Sequence, residues 1–185
     1  MKRALLTLVC TIVWSFVAVQ VSFGAVDGFL LIQGLQGEST FPGRTNWTNI
    51  SSYSSALGLP SALGVPPGTA KVLFQPLAIV KLTDSISPAL AMAAASGLPF
   101  STAVVEIVKT TGATSHVFLK LELFDVRVAA YSTAGRSQGE VPTEEVKLSY
   151  SRIRWTAFKF NPATGQPVQQ SPSVGGWDLA KNQAF

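Results

Sequence analysis

The chain has 185 residues, a formal net charge of +4, one cysteine and one histidine. That length suits a single domain, and so few thiol and imidazole groups leave little for a zinc site or for Ser-His-Asp hydrolysis. Lys2 and Arg3 supply part of the positive charge at the very N-terminus and no dense basic patch follows, so nucleic acid is not an expected partner.

In chain order, Met1-Lys2-Arg3 is basic, Ala4 to Val21 is apolar without a charge, and Ser22-Phe23-Gly24 offers small residues for cleavage. This order predicts a secretory signal over residues 1–25, cut near Gly24 or Ala25, and a single domain over 26–185 that has no membrane association once the signal is removed. The same apolar run approaches the length of a membrane span, so an uncleaved anchor is the other reading. Cys10 lies inside it, mid-run and after the bulky Val9, where lipid attachment is not expected. The remaining chain therefore has no disulfide and relies on core burial.

Phe29 to Ile32 reads as a short strand closed by Gln33-Gly34-Leu35-Gln36-Gly37, and Ile50-Ser-Ser-Tyr53 as part of a second. Asn46-Trp-Thr48 and Asn49-Ile-Ser51 match the glycosylation pattern but read as polar surface. From Ser54 to Ala70 runs an uncharged loop holding Leu57, Leu59, Leu63 and Val65, aliphatics that point to a surface meeting a partner. Lys71 to Lys81 is a strand interrupted by Pro76, hence an edge or a bulge. Ser87 as cap, Pro88 at the first helical position, an alanine-rich run and Gly97 in the left-handed conformation predict one helix of about three turns. With Leu90 as its inward aliphatic and Met92 off that face, it reads as a lid on a barrel side or mouth. Ala103 to Lys109 is a further strand, turned by Thr110 to Ala113.

Two long arms follow, His116 to Val128 and Val146 to Phe160, joined by a polar connection from Tyr131 to Thr143. In the first, Val117, Leu119, Leu121 and Leu123 alternate inward, and then the phase moves to Phe124, Val126 and Val128. In the second, Val146, Leu148 and Tyr150 give way to Ile153 and Trp155, and then to Phe158 and Phe160. A one-residue phase change turns the apolar set over, so each arm carries a bulge or passes between sheets, as strands of barrels and orthogonal sandwiches do.

Catalytic patterns are lacking. His116 stands alone at a strand start and reads as a surface histidine, and Glu144 and Glu145, being adjacent on a strand, face opposite ways. Gly34-Leu-Gln-Gly37 has neither the lysine nor the helix of a phosphate loop, and Arg152, Arg154 and Lys159 read as a solvated face. No catalytic residue, metal ligand or cofactor site is predicted.

The motifs taken in order resemble the haemolysin-coregulated protein (Hcp) family, the tube subunit of bacterial type VI secretion systems. The residues that carry the likeness are Phe29 to Ser39 with Gly34, Gly37 and Glu38, Ile50 to Ser54, Lys81-Leu-Thr-Asp84 with Ser87-Pro88, Pro142-Thr143-Glu144 through Tyr150, and Gly176-Trp177-Asp178. The resemblance implies a mainly β fold, an antiparallel β-barrel of two packed sheets with one short α-helix at its side. It also implies that six copies close into a ring and that rings stack into a hollow tube, with effector proteins, spike protein and sheath as partners and no cofactor. The 54–70 loop is then the element that joins one ring to the next. Family members assemble in the cytoplasm before secretion, so a leader opens an alternative, an exported Hcp-like β-barrel binding module outside the contractile apparatus.

Overall fold

A computed structural model of the chain describes residues 25–59, 71–111, 114–135, 139–161, 168 and 172–185. The predicted leader with Cys10, and Leu63 and Val65 of the uncharged loop, lie outside the described residues.

The strands are β1 (Val26–Ile32), β2 (Thr48–Ile50), β3 (Ser52–Ser54), β4 (Leu57–Gly58), β5 (Leu73–Phe74), β6 (Leu77–Leu82), β7 (Pro99–Thr111), β8 (Thr114–Ala134), β9 (Thr143–Ser149), β10 (Arg152–Ala157), β11 (Ser173–Asp178) and β12 (Gln183–Ala184), with helix α1 (Ser87–Ser96) between β6 and β7. All pairings are antiparallel. β1 pairs with β2 and β7, β7 with β8, β8 with β9, β9 with β6, and β6 with β3. β2 and β3 are one strand kinked at Ser51, whose N–H donates to Val80 O at 2.7 Å, so this circuit closes on itself as a barrel. Beyond it, β10, β11 and β12 extend the sheet from the first half of β8.

β8 and the pair β9–β10 form the long ribbon on which this depends. Along its second edge β8 meets β10 from Leu119 to Phe124 and β9 from Arg127 to Ala134. The handover falls at Asp125, whose φ of 54° is left-handed, opposite the Tyr150–Ser151 break. Leu121 and Leu123 are buried before it, and Val126 and Val128 after it. Phe124, read from sequence as the start of the second apolar phase, instead belongs to the outer face, where Arg152 lies 5.0 Å from its ring centroid. The phase change comes one residue later, at the left-handed Asp125, while the register shifts of β8 lie elsewhere, opposite Ile107–Val108 on β7 and at Val128–Ala130. In the partner arm Val146, Leu148, Tyr150 and Ile153 are buried with the predicted switch between the last two. β8 runs on to Ala134, so the expected connection from Tyr131 is shorter than predicted.

The helix joins the end of β6 to the start of β7, both at the barrel mouth where β1 also ends and β9 begins. Ile86, Leu90 and Ala93 enter the same core as Leu30, Ile79 and Leu123, while Met92 is exposed, as a lid over the mouth requires. Gly97 ends the helix at φ 70°, its N–H donating to Ala93 O. Ser87 is not the cap: Ile86 holds that place without a side-chain bond, and Ser87 lies inside the first turn with its hydroxyl turned to other work.

Candidate functional site

Two regions have features that the core alone does not explain. One is buried at the mouth, and the other projects from the opposite end.

At the mouth, Lys81 is fully buried, in phase with Leu77 and Ile79 on β6. Its ammonium donates to Asp84 Oδ1 at 2.7 Å, Leu82 O at 2.8 Å and Ser87 Oγ at 3.0 Å, and lies 2.8 Å from Glu144 Oε2. Register makes this possible, since Lys81 and Glu144 are cross-strand partners of β6 and β9. Glu144 is buried too, and accepts bonds from Ser87 Oγ and the Tyr131 hydroxyl, each at 2.8 Å. Burial by itself pushes the Glu144 carboxyl up, but the bonds from Lys81, Ser87, Tyr131 and Thr83 outweigh it and hold the group below its ordinary range. Tyr131 is pushed up to about 12, first by burial and then by the Glu144 carboxylate its hydroxyl faces. Asp84 completes the cluster by accepting from Thr48 Oγ1 at 3.0 Å and Ile86 N at 3.2 Å. Thr48, read from sequence as polar surface, is therefore buried structure.

The cluster ties the lid to the barrel wall. From outside, exposed Glu38 accepts from Ser85 N at 2.9 Å, and Ser85 Oγ donates to Gln36 O at 3.1 Å, so the β1–β2 connection clasps the loop that precedes the helix. Gly34 supplies the left-handed turn at φ 88°. Gly37 is needed for close approach, since a Cβ there would stand 2.4 Å from Thr48 Oγ1 and 2.5 Å from Trp47 O. Thr83 N donates to Pro142 O at 2.9 Å, and Thr143 pairs with Leu82, which fixes the start of β9 beside Lys81.

Of the sequence-predicted motif positions, Asp84, Ser87 and Glu144 thus meet around one buried lysine and Glu38 clasps the adjoining loop from outside, with Gly34, Gly37, Pro88, Pro142 and Thr143 shaping the segments that bring them there. Trp177 and Asp178 lie elsewhere, on β11, where Asp178 Oδ1 accepts from Lys181 N at 2.9 Å. Lys81 opens the Lys81–Asp84 motif, but its burial is not an expectation of the sequence, and neither is the part taken by Thr48 or Tyr131. The signal for Lys81 was its strand phase. Lys81 and Glu144 are closed off from solvent, and among the described residues no group of three or more His, Cys, Asp or Glu is placed to hold a metal ion. His116 is half-buried instead of on the surface, its ring 6.4 Å from that of Phe160.

At the far end the chain leaves β3, forms the short β4–β5 ladder and returns to β6. The expected structureless loop therefore has a two-stranded base, and Pro76 divides β5 from β6 where one interrupted strand was expected. Phe74 anchors this arm, stacking 6.3 Å from Trp155 and edge-on 6.4 Å from Tyr150. Leu57, Leu59 and Leu73 are left 56%, 63% and 56% exposed. Leu57 and Leu59 lie on the same arm.

The family described as "Type VI secretion system effector, Hcp" matches residues 29–157, the span from β1 through β10. The Pseudomonas aeruginosa PAO1 protein named "Protein hcp1" is 27% identical over 161 residues, covering 85% of this chain and 98% of that protein. The crystal structure of Hcp1 from Salmonella typhimurium is 28% identical with a TM-score of 0.72, over 87% of this chain and 99% of that one. A solved structure described as a type six secretion system protein has a TM-score of 0.78 at 24% identity, covering 87% of this chain and all of that one, which shows a shared fold. No helix among the described residues is long and apolar enough to cross a membrane.

Proposed function

Because the chain belongs to the Hcp family of type VI secretion proteins, we propose that it is a non-enzymatic structural subunit whose copies close into hexameric rings that stack into a tube for effector delivery. The observation that carries this reading is the extent of the match, which takes in the whole barrel and the lid. The principal partner is then a second copy of the chain, with effector proteins, spike and sheath as further partners of the assembled tube. A heterologous contact, in which two different surfaces of each copy meet, closes into a ring when the rotation per copy fits. Native mass spectrometry of the chain from Ala25 onward tests this. A sharp six-copy species is expected, and a monomer at high protein concentration and low salt would refute it.

The order of charge and hydropathy in residues 1–25 favours a second reading, an exported Hcp-like module acting outside the contractile apparatus. N-terminal sequencing of the protein from its host separates the two. A processed chain beginning near Ala25 supports export, and a chain starting at Met1 removes that reading.

A further inference from the structure

The barrel wall parts beside the start of β1. β1 pairs with β7 in one unbroken register from Val26 to Ile32, and the same register continues outward to Thr110 N on Ala25 O at 2.8 Å and Gln33 N on Thr102 O at 3.0 Å. Odd-numbered residues of β1 therefore turn their main-chain groups to β7, and Val26, Gly28 and Leu30 turn theirs to the other edge. On that edge Gly28 meets Ile50 and Leu30 meets Thr48, but the chain then kinks at Ser51, and Ser52 pairs with Val80 of β6 instead. Among the described residues Val26 has no strand on this side, and its main chain faces an open cleft of about 360 Å³ between β1 and β3.

The cleft has two unlike walls. On the core side Ile50 lies over Gly28, where a Cβ would stand 2.6 Å from Ile50 Cγ1, and Ile107 and the exposed Val26 continue the apolar surface. Asp27, one residue out of phase with Val26 and Gly28, stands on the outer face. A second cleft shares Ile50 and Ser51 with this one, but its carboxylates are engaged, Glu38 with Ser85 N and Asp84 with Lys81. The Asp27 carboxylate has no ion pair or hydrogen bond with any described residue.

What the cleft lacks is main chain beside Val26, an apolar side chain turned inward and a cation turned outward. One extended segment supplies all three, because its successive side chains point to opposite faces. We propose that the Val26–Asp27 cleft takes an extended peptide of another protein as an added strand, with an aliphatic residue over Ile50 and Ile107 and an adjacent lysine or arginine paired with Asp27. Such a site belongs to the single barrel and needs neither ring nor tube.

The blocked peptide Thr-Thr-Val-Lys-Val-Thr-Thr, labelled and titrated against the full-length chain by fluorescence anisotropy, is the probe, and Thr-Thr-Val-Glu-Val-Thr-Thr is its charge-reversed counterpart. The lysine peptide is expected to bind, and the glutamate peptide to bind about fivefold more weakly, as loss of a partly exposed ion pair implies. Asp27→Lys should reverse that preference. Val26→Pro removes the N–H that β1 turns to the cleft, at the first residue of a strand, where proline is tolerated. It should abolish binding of both peptides and leave the circular dichroism spectrum unchanged; if it does not fold, Asp27→Lys alone decides. An unmodified chain that binds neither peptide, or a preference that Asp27→Lys leaves unchanged, overturns the site. Dimers of the chain that disappear in Val26→Pro, in place of peptide binding, would make a second copy the occupant and overturn the peptide assignment.

Discussion

The mouth and the arm divide the polar and apolar residues of this barrel in opposite ways to the usual rule. At the mouth, charged groups that normally face water are buried, whereas the arm holds leucines in solvent. A buried ammonium is tolerable only when its protons are used, and Lys81 has carboxylates, a hydroxyl and a carbonyl within bonding distance. Exposed leucines cost the isolated subunit little, but have no reason to persist unless something covers them. The mouth is thus a device for holding one arrangement of lid and wall, and the arm is the surface proposed to meet a second copy. Substitutions at the two should separate cleanly, stability being lost at one and assembly at the other.

The largest effect is expected from Lys81→Met. It removes the cation and leaves Glu144 and Asp84 facing each other across a buried site, a loss of about 3–5 kcal/mol in denaturant unfolding. Adding Glu144→Gln should recover part of that loss, because one of the stranded charges is then neutral. An equal or greater loss in the double variant would mean that packing, and not charge, governs the site.

Acid probes the same cluster without mutation. Glu144 has its carboxyl held below the ordinary value of 4.5 in the folded chain, so the folded state binds that proton less readily than the unfolded state. Its contribution is complete above about pH 4.5 and is lost as the pH falls through the lower, folded value. Tyr131 acts at the other extreme: its folded value of about 12 against an ordinary 10.0 favours the neutral hydroxyl, and that contribution is lost as pH rises from 10.0 to about 12. Thermal midpoints across pH should therefore fall in acid, and Glu144→Gln should flatten the acid limb.

A smaller loss is expected from Gly37→Ala. The added methyl would meet Trp47 backbone, which cannot rotate away, so the clasp over Ser85 must shift, at a cost of about 1–3 kcal/mol. The lid should loosen first, and hydrogen exchange at the Leu90 amide should rise more than at Val146.

How much of this was legible in the sequence follows from the same contrast. Periodicity revealed the ribbon, because β8 and β9–β10 are half-buried along most of their length and alternate accordingly. It misplaced the turn-over at Phe124, since a phenylalanine lying under Arg152 on the outer face looks the same in sequence as one in the core. The buried cluster was only half visible. Lys81, Asp84, Ser87 and Glu144 all lie in motifs that carry the resemblance, but the burial of the lysine that joins them was not legible, because a lysine at a strand end ordinarily turns outward. The inward phase of Leu77, Ile79 and Lys81, and of Glu144, Val146 and Leu148, was present all the same. What alternation cannot supply is the register that sets Lys81 opposite Glu144.

The smallest effect on stability, and the sharpest division between the two regions, is expected at the arm itself. Leu57 and Leu59 are more than half exposed, and the arm is fixed through Phe74 on Trp155 and Tyr150 instead of through them. Charge placed at both positions, Leu57→Asp with Leu59→Asp, has neither a core to disrupt nor a buried partner to strand, so the unfolding free energy should stay within about 0.5 kcal/mol of the unmodified chain. Phe74→Ala is the contrasting substitution, because it frees the base of the arm from an aromatic cluster and exposes Trp155. If the leucine pair lowers stability as much as Phe74→Ala does, the arm is part of the subunit's own fold, and the leucines lose their claim to be an assembly surface. If stability holds while tubes vanish in electron micrographs and rings persist in native mass spectra, folding and stacking are carried by separate residues, as the exposure of the arm requires.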